Sequence, residues 1–533
     1  MASRRDELNA YSFARKRTNA AFLKPLPNGS IESAPRPLKA VVPSIVMGVV
    51  VLVGFGACGI LKPVAPQGWD EVGKNVIVGD KSTTRYIVLD NGKGGQKLLH
   101  PILNLASARL LIDPNFKVVK VKEEELDGKI PHGPAIGIPY APDRLPDVED
   151  ADKPKTWAVC NRPGSGLHSK PQQAVFVLGG KDKQAVEDKH KLDARQALYV
   201  QDPQQKKWLV DSEGKAFEFS GGSEVVNDRL RQIIFGSAKP QQVSQDFMDT
   251  LLVMPPKLGI TMPVVGGAGG QTTDPKVPER AKKVGSILQD SHGQKYVVEQ
   301  DGVEQVTDFV ANLLENGANA DKVNGDGTPV RPAPVAAIVP KKDSSGNPTD
   351  FMGEFGGFPS PWPKESLSVG NDFEHGSQTG GLTSPTRSGV SCSVYNGKNI
   401  KLPGGAENQL GYPNGIPDMQ AWVGTDYPVK IATGANAYVT PGSGLLYTQV
   451  RTPQDKTGSG SQFLVTDTGL RYPLPKNNDS EKKSGKADDE QDKAKIHLGY
   501  ENTHPPLILK AWSDLLSTGP SLDIQSAKTP QSS

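Results

Sequence analysis

The chain has 533 residues, with 57 Gly, 45 Pro and only 36% hydrophobic residues, a balance that excludes a mostly helical protein and predicts many short strands joined by turns. Its net charge of +2 hides an asymmetry: residues 1–40 hold eight Lys/Arg against three Asp/Glu, so the head is +5 and the remainder −3. No basic, aromatic-interleaved stripe follows the head, which excludes nucleic acid as a partner of the large part.

At the N-terminus, Ser3-Arg4-Arg5-Asp6 has capping-box spacing, and LNAYSFARKRTNAAFL predicts a helix that Pro25 ends. Leu8, Tyr11, Phe22 and the Arg15, Lys16, Arg17 cluster allow two readings. They form a docking face for cytosolic partners, or the helix only sets topology and touches anionic lipid. The run Val41 to Leu61, VVPSIVMGVVVLVGFGACGIL, then holds 21 residues without a charge. At about 1.5 Å per residue it reaches roughly 32 Å, enough for a hydrocarbon core of about 30 Å, and it predicts a transmembrane helix. The forty residues before it are too many for the leading region of a cleaved signal peptide. Cys58 in FGAC offers a lipoprotein alternative, which Phe55 disfavours because Leu is usual there. The basic head places the N-terminus in the cytoplasm and residues from about 62 onward outside.

Beyond the span, a signature of polar, aromatic, aliphatic and Val residues leads four times into an acidic or Gly-rich turn: RYIVLDNG, KWLVDSEG, KYVVEQDG and QFLVTDTG. Its marker residues are Tyr86 and Val88, Trp208 and Val210, Tyr296 and Val298, Phe463 and Val465. A strand precedes each (NVIVGD, ALYVQDP, VGSILQD, LLYTQVR) and an apolar segment follows, so each signature begins a hairpin. Helix-like stretches come after three of them, at 100–111, 227–234 and 306–314. Each aromatic is expected to pack near its own repeat's helix. A unit so small cannot bury its apolar face alone and must pack on sister units or a central element.

Between the repeats, 157–179 and 391–432 have a different character and read as two halves of one central domain. They carry the two cysteines outside the span, Cys160 and Cys392. Outside the cytoplasm an isolated pair is expected to form a disulfide, and metal binding is the weaker reading because neither has a CxxC partner or a nearby His. The resulting organisation is a cytoplasmic basic segment 1–40, a span 41–61, repeat 1 at 70–130 and the first central part at 150–185. Repeat 2 at 195–255, repeat 3 at 280–340 and a flexible insertion at 342–387 follow. The second central part is 388–435, and repeat 4 is 440–476 with 496–525, interrupted by a charged flexible insertion 477–495.

Asp467-Thr468-Gly469 also spells the catalytic turn of an aspartic protease. It occupies the place of Asp90-Asn91-Gly92 in the first repeat, and only one such triplet occurs where two facing carboxylates are needed. A hairpin turn is the expected role.

The order basic head, one span, LKP, VIVGD, RYIVLD, HPILNLASARLL, then KYVVEQDGVEQVTDF, the two outer cysteines, FLVTDTGLRYPL and HLGYENTHPPLILKAWSDLLSTGPSLD strongly resembles the EccB family. That family is a membrane component of the type VII (ESX) secretion system. The likeness covers nearly the whole chain and departs from the family in the two insertions and a short segment before the span. It implies an α+β protein with a single transmembrane helix and an elongated, propeller-like extracytoplasmic domain of four small β-rich repeats around a central β domain. It further implies a complex with EccC-like ATPase, EccD-like and EccE-like subunits, self-association of outer domains, and contact with membrane lipid.

An ATPase activity is ascribed to the family, so an extracytoplasmic nucleotide hydrolase is the alternative function. The chain has no GxxxxGK[ST], and the nearest stretch, Gly79-Asp80-Lys81-Ser82, has Asp where the second Gly belongs. The glycines 266–270, GGAGG, read as plain loop. No GxSxG, HExxH or metal-ligand spacing among the eight His occurs, so no catalytic, cofactor or metal residue is expected.

Overall fold

The computed structural model describes residues 3–23, 38–60, 65–91, 95–163, 170–188, 190–354, 360–372, 389–402, 405–455, 460–475 and 493–531. Two compact units divide the chain, a smaller one of Met1–Trp69, Val78–Thr83 and Val119–Lys129 and a larger one holding the rest.

In the smaller unit, a helix runs over Arg4–Leu23. Its start is a reciprocal cap: Asp6 accepts the Ser3 N–H at 3.3 Å and the Ser3 hydroxyl accepts the Arg5 N–H at 3.4 Å. Arg15, Lys16 and Arg17 are exposed on it, as are Leu8, Tyr11 and Phe22. A second helix, Leu38–Ile60, covers the apolar run with Pro43 inside it. Side chains are described on it at 41–53 and 55, and among the described residues no helix is long and apolar enough to cross a membrane. The transmembrane assignment of 41–61 therefore rests on the sequence and returns below as a proposal.

The larger unit is built from hairpin modules that share one strand order. In the third, Gly302–Val306, Lys295–Glu299 and Ile287–Gln289 pair antiparallel in turn, and Ala333–Pro334 then pairs parallel to Ile287–Gln289. The second module repeats this with Lys215–Glu218, Lys207–Val210 and Gln196–Gln201 plus the parallel Gln241–Gln242. The fourth uses Leu470–Leu474, Ser461–Val465 and Leu445–Val450 plus the parallel Leu507–Leu509. In the first, Lys97–Pro101, Arg85–Asp90, Asn75–Gly79 and Lys117–Val121 follow in the same order. Helices Leu105–Leu111, Glu224–Phe235 and Asp308–Asn316 begin where Asn104, Ser223 and Thr307 cap the N–H groups of Ser107, Val226 and Val310.

A central five-stranded sheet has the order Ile416–Gly424, Val390–Ile400, Thr156–Arg162, Gln172–Leu178, Ala437–Val439, so residues far apart in sequence meet as neighbouring strands. Cys160 lies directly opposite Cys392 in the antiparallel pair and the two are bonded, S–S 2.04 Å. Alternation along the sheet sends Trp157, Val159, Val175 and Val177 to one face. There they meet Leu198, Val210 and Phe247 of the second module and Tyr447, Phe463 and Trp512 of the fourth. Ala158, Cys160, Phe176 and Cys392 face the other way. All five sheets are open, and among the described residues there is no closed barrel and no propeller, which corrects the propeller-like expectation.

The same period-2 geometry corrects the expected seat of the signature aromatics. Trp208 and Val210 pack on the central sheet, and the residue between them, Leu209, packs with Leu230 and Ile234 of the module's helix. Phe463 and Val465 likewise face the central sheet while Leu464 turns to Leu498 and Tyr500. In the third module Tyr296 and Val298 join Val277 and Ala281, and Val297 joins Phe309 and Leu313. Tyr86 stands half-buried, edge-on to His132 at 5.8 Å, while Ile87 packs with Ala108. Ile87, Leu209, Val297 and Leu464 are each fully buried, so the helix-facing position is the one between the two markers.

Residues 342–354 and 360–372 lie within the expected flexible insertion, yet they are packed. The Phe351 N–H bonds the Gln305 carbonyl at 2.7 Å, and Ser368–Val369 pairs with the Gln196–Gln201 strand. Trp362, 4% exposed, donates its indole N–H to the Leu258 carbonyl at 3.0 Å and meets Phe309 edge-on. Asn371 closes both backbone bonds of Tyr199. A few large apolar side chains, spaced widely through a Gly/Ser/Pro composition, are enough to fix the segment. Of the second insertion, 477–492 lies outside the described residues and 493–495 open the helix Lys493–His497.

Candidate functional site

The positions that spell chemistry in the sequence are taken up by the chain's own groups. Thr466, Asp467, Thr468 and Gly469 form the turn between Ser461–Val465 and Leu470–Leu474, with Gly469 N–H on the Thr466 carbonyl and Gly469 at φ +80°. Asp467 accepts the Gly442 N–H at 2.8 Å. The carboxylate acting on the adjacent residues of that loop is Asp150, which accepts the Ser443 hydroxyl at 2.7 Å and the Gly444 N–H at 2.9 Å. Asp150 is also bonded by the buried Lys155 ammonium at 2.7 Å. Burial pushes the Asp150 carboxyl up, but Lys155, Ser443 and Gly444 outweigh it and hold the group below the usual carboxylate range. The two carboxylates thus anchor one loop, and each already has its own donors. Replacing Asp467 by Asn should leave protein export unchanged, since an amide oxygen still accepts from Gly442. An export assay on cells carrying Asp467→Asn checks this, and lost export with an intact fold would return the triplet to catalysis.

At the closest approach to a phosphate loop, in the smaller unit, the N–H groups of Lys81 and Ser82 converge on one acceptor. That acceptor is Glu123 Oε1, at 2.9 and 2.8 Å. Hydrogen bonding from Ser82 holds the Glu123 carboxyl below its ordinary range, and Lys81 reaches Glu124 at 2.9 Å. A small anion-binding nest exists, and a protein carboxylate fills it. The glycines 266–270 are equally spoken for: Gly269, φ +89°, donates to the Val284 carbonyl, and a Cβ there would stand 2.4 Å from the Lys322 carbonyl oxygen.

Among the described residues no group of His, Cys, Asp and Glu is arranged to hold a metal ion. A cleft lined by Tyr395, Tyr412, Pro417, Pro453, Leu507 and Trp512 offers no carboxylate, His or cation. A second, more polar cleft contains Arg231, whose guanidinium is occupied by Glu224 and Asp228.

One buried carboxyl went unnoticed in the sequence. Asp211, 8% exposed, builds the second module's hairpin turn by accepting the N–H groups of Glu213 and Lys215, both at 2.9 Å. Burial raises its pKa to about 6, against the pull of Lys215. Because the folded chain binds this proton more tightly than the unfolded one, stability falls as pH rises from about 4 to about 6. Asp211→Asn keeps the accepting oxygen and removes the buried charge. It should stabilise the protein by about 1–3 kcal/mol at pH 7.5 and not at pH 4, read as the difference in melting temperature from the parent.

The chain is a mixed α/β protein of small open sheets packed on a shared central sheet. It belongs to the EccB family: the family described as "Type VII secretion system ESX-1, transport TM domain B" matches residues 1–532. The ESX-3 secretion system ATPase EccB3 of Mycobacterium tuberculosis is 26% identical over 508 residues, covering 91% of this chain and 82% of the relative. The corresponding EccB3 of Mycolicibacterium smegmatis is 27% identical over 446 residues, 82% of this chain and 76% of the relative. Among solved structures, a chain of an intact ESX-5 inner membrane complex, a composite C3 model, aligns over 100% of this chain and 96% of its own, with TM-score 0.53 and 20% identity. A chain of the EccB3 dimer from the ESX-3 core complex aligns over 85% and 99%, with TM-score 0.51 and 20% identity.

Proposed function

We propose that this chain is a structural subunit of a type VII (ESX) secretion membrane complex, supporting protein export and supplying part of the assembly outside the membrane. The family match over residues 1–532 carries this reading. The uncharged run 41–61 crosses the membrane once, with the basic head, Arg15, Lys16 and Arg17 included, in the cytoplasm. The four hairpin modules act as repeats about the central sheet. The partners are EccC-like ATPase, EccD-like and EccE-like subunits, further copies of the chain, and membrane lipid. Solved relatives drawn from ESX membrane complexes and from an EccB3 dimer support that company.

The names of the curated relatives, each an ATPase, favour a second reading as an extracytoplasmic nucleotide hydrolase. Glu123 in the Lys81–Ser82 nest argues against that site as the place of phosphate binding. ATP turnover by the purified full chain separates the two readings. A structural subunit gives no turnover that follows the protein through purification, whereas turnover abolished by one point substitution establishes the hydrolase.

A further inference from the structure

Tyr140 is exposed to 90%, the one exposed aromatic among the described residues of the larger unit. Its backbone is left-handed, φ +63°, a conformation that Gly and Asn accept and Tyr disfavours. Among the described residues its ring makes no hydrogen bond and no ring contact, so nothing inside the chain compensates for the strain.

The loop that carries it is nonetheless fixed from both sides. Ahead of Tyr140, the buried Asn104 donates to the Ile138 carbonyl at 2.8 Å, the Ser107 hydroxyl accepts the Ile138 N–H at 2.8 Å, and Gln531 donates to the Gly137 carbonyl at 2.7 Å. Behind it, the Ala106 N–H reaches the Pro142 carbonyl, and Asp143 accepts the Leu105 N–H at 3.0 Å while paired with both terminal nitrogens of Arg85. Leu103, 46% exposed, leans on Gly137 of the same loop. An aromatic ring held rigidly in water at a strained backbone position, with apolar surface at its base, has the features of an interface anchor: it loses little side-chain freedom on docking and buries a large area.

We propose that Tyr140 is the anchor of a contact between copies of this chain, its ring entering an apolar pocket on the second copy. This rests on the assembly reading above, in which outer domains meet one another.

The test uses the full chain, solubilised from membranes, with two copies carrying different tags. Recovery of one copy through the other measures self-association, and a thermal melt measures the fold. Tyr140→Asn suits the left-handed backbone and should melt at or above the parent temperature, while recovery of the second copy falls about 10-fold or more. Tyr140→Phe keeps the ring and should retain recovery within about 2-fold. Undiminished recovery with Tyr140→Asn overturns the proposal, as does a lowered melt that explains the loss. A loss confined to other membrane subunits also overturns it, by assigning the anchor to a different partner. Failure of the parent copies to recover one another would instead sink the assembly reading beneath it.

Discussion

Trp157→Ala is expected to destabilise the larger unit by about 3–5 kcal/mol, the cost of truncating a large buried aromatic. The side chain is fully buried on the central sheet, edge-on to Tyr447 with ring centroids 5.9 Å apart. Tyr447 is fixed in turn by the Ser513 hydroxyl at 2.6 Å and by stacking on Phe463, so the vacancy opens where the central sheet meets the fourth module. A packed interior relaxes only partly into such a vacancy. The midpoint shift in a denaturant melt of the full chain measures the effect. Trp157→Phe should cost much less, because a ring remains and the indole N–H, which has no hydrogen-bond partner here, is removed with the exchange.

Replacing Cys160 and Cys392 together by Ala is expected to cost about 2–5 kcal/mol. The bond closes a loop of 232 residues, which restricts the unfolded chain far more than the folded one, where the strands are already paired. Both cysteines are fully buried, so reductant should act only as fast as the domain opens. Thermal melts of parent and double variant under oxidising conditions give the first number. Thiol trapping in native and denatured protein gives the second result, and rapid trapping in the native state would contradict the buried bond.

Local features were readable where one residue type has one geometric use. The four aromatic–aliphatic–Val segments do fall on middle strands, and the Asp467 triplet is a turn, because β-period and turn chemistry act over a few residues. Which face of a middle strand meets the helix was not readable. Tyr86, Trp208, Tyr296 and Phe463 differ from Ile87, Leu209, Val297 and Leu464 by a single step in register, and both sets are apolar. Composition misled at 342–372, where Phe351, Trp362, Leu367 and Val369 bind a polar segment to its neighbours. Asp211 and Tyr140 were invisible for a related reason: burial of a turn carboxyl and the sign of a backbone angle are set by what packs around them.

The central claim is membership of a secretion membrane assembly, and the subunit content of the complex carrying this chain tests it most directly. A tagged full chain, purified from gently solubilised native membranes, should run as a large particle holding EccC-like, EccD-like and EccE-like subunits and more than one copy of itself. Recovery of the chain alone, as a single copy free of those subunits under conditions that keep other membrane complexes whole, would contradict the account.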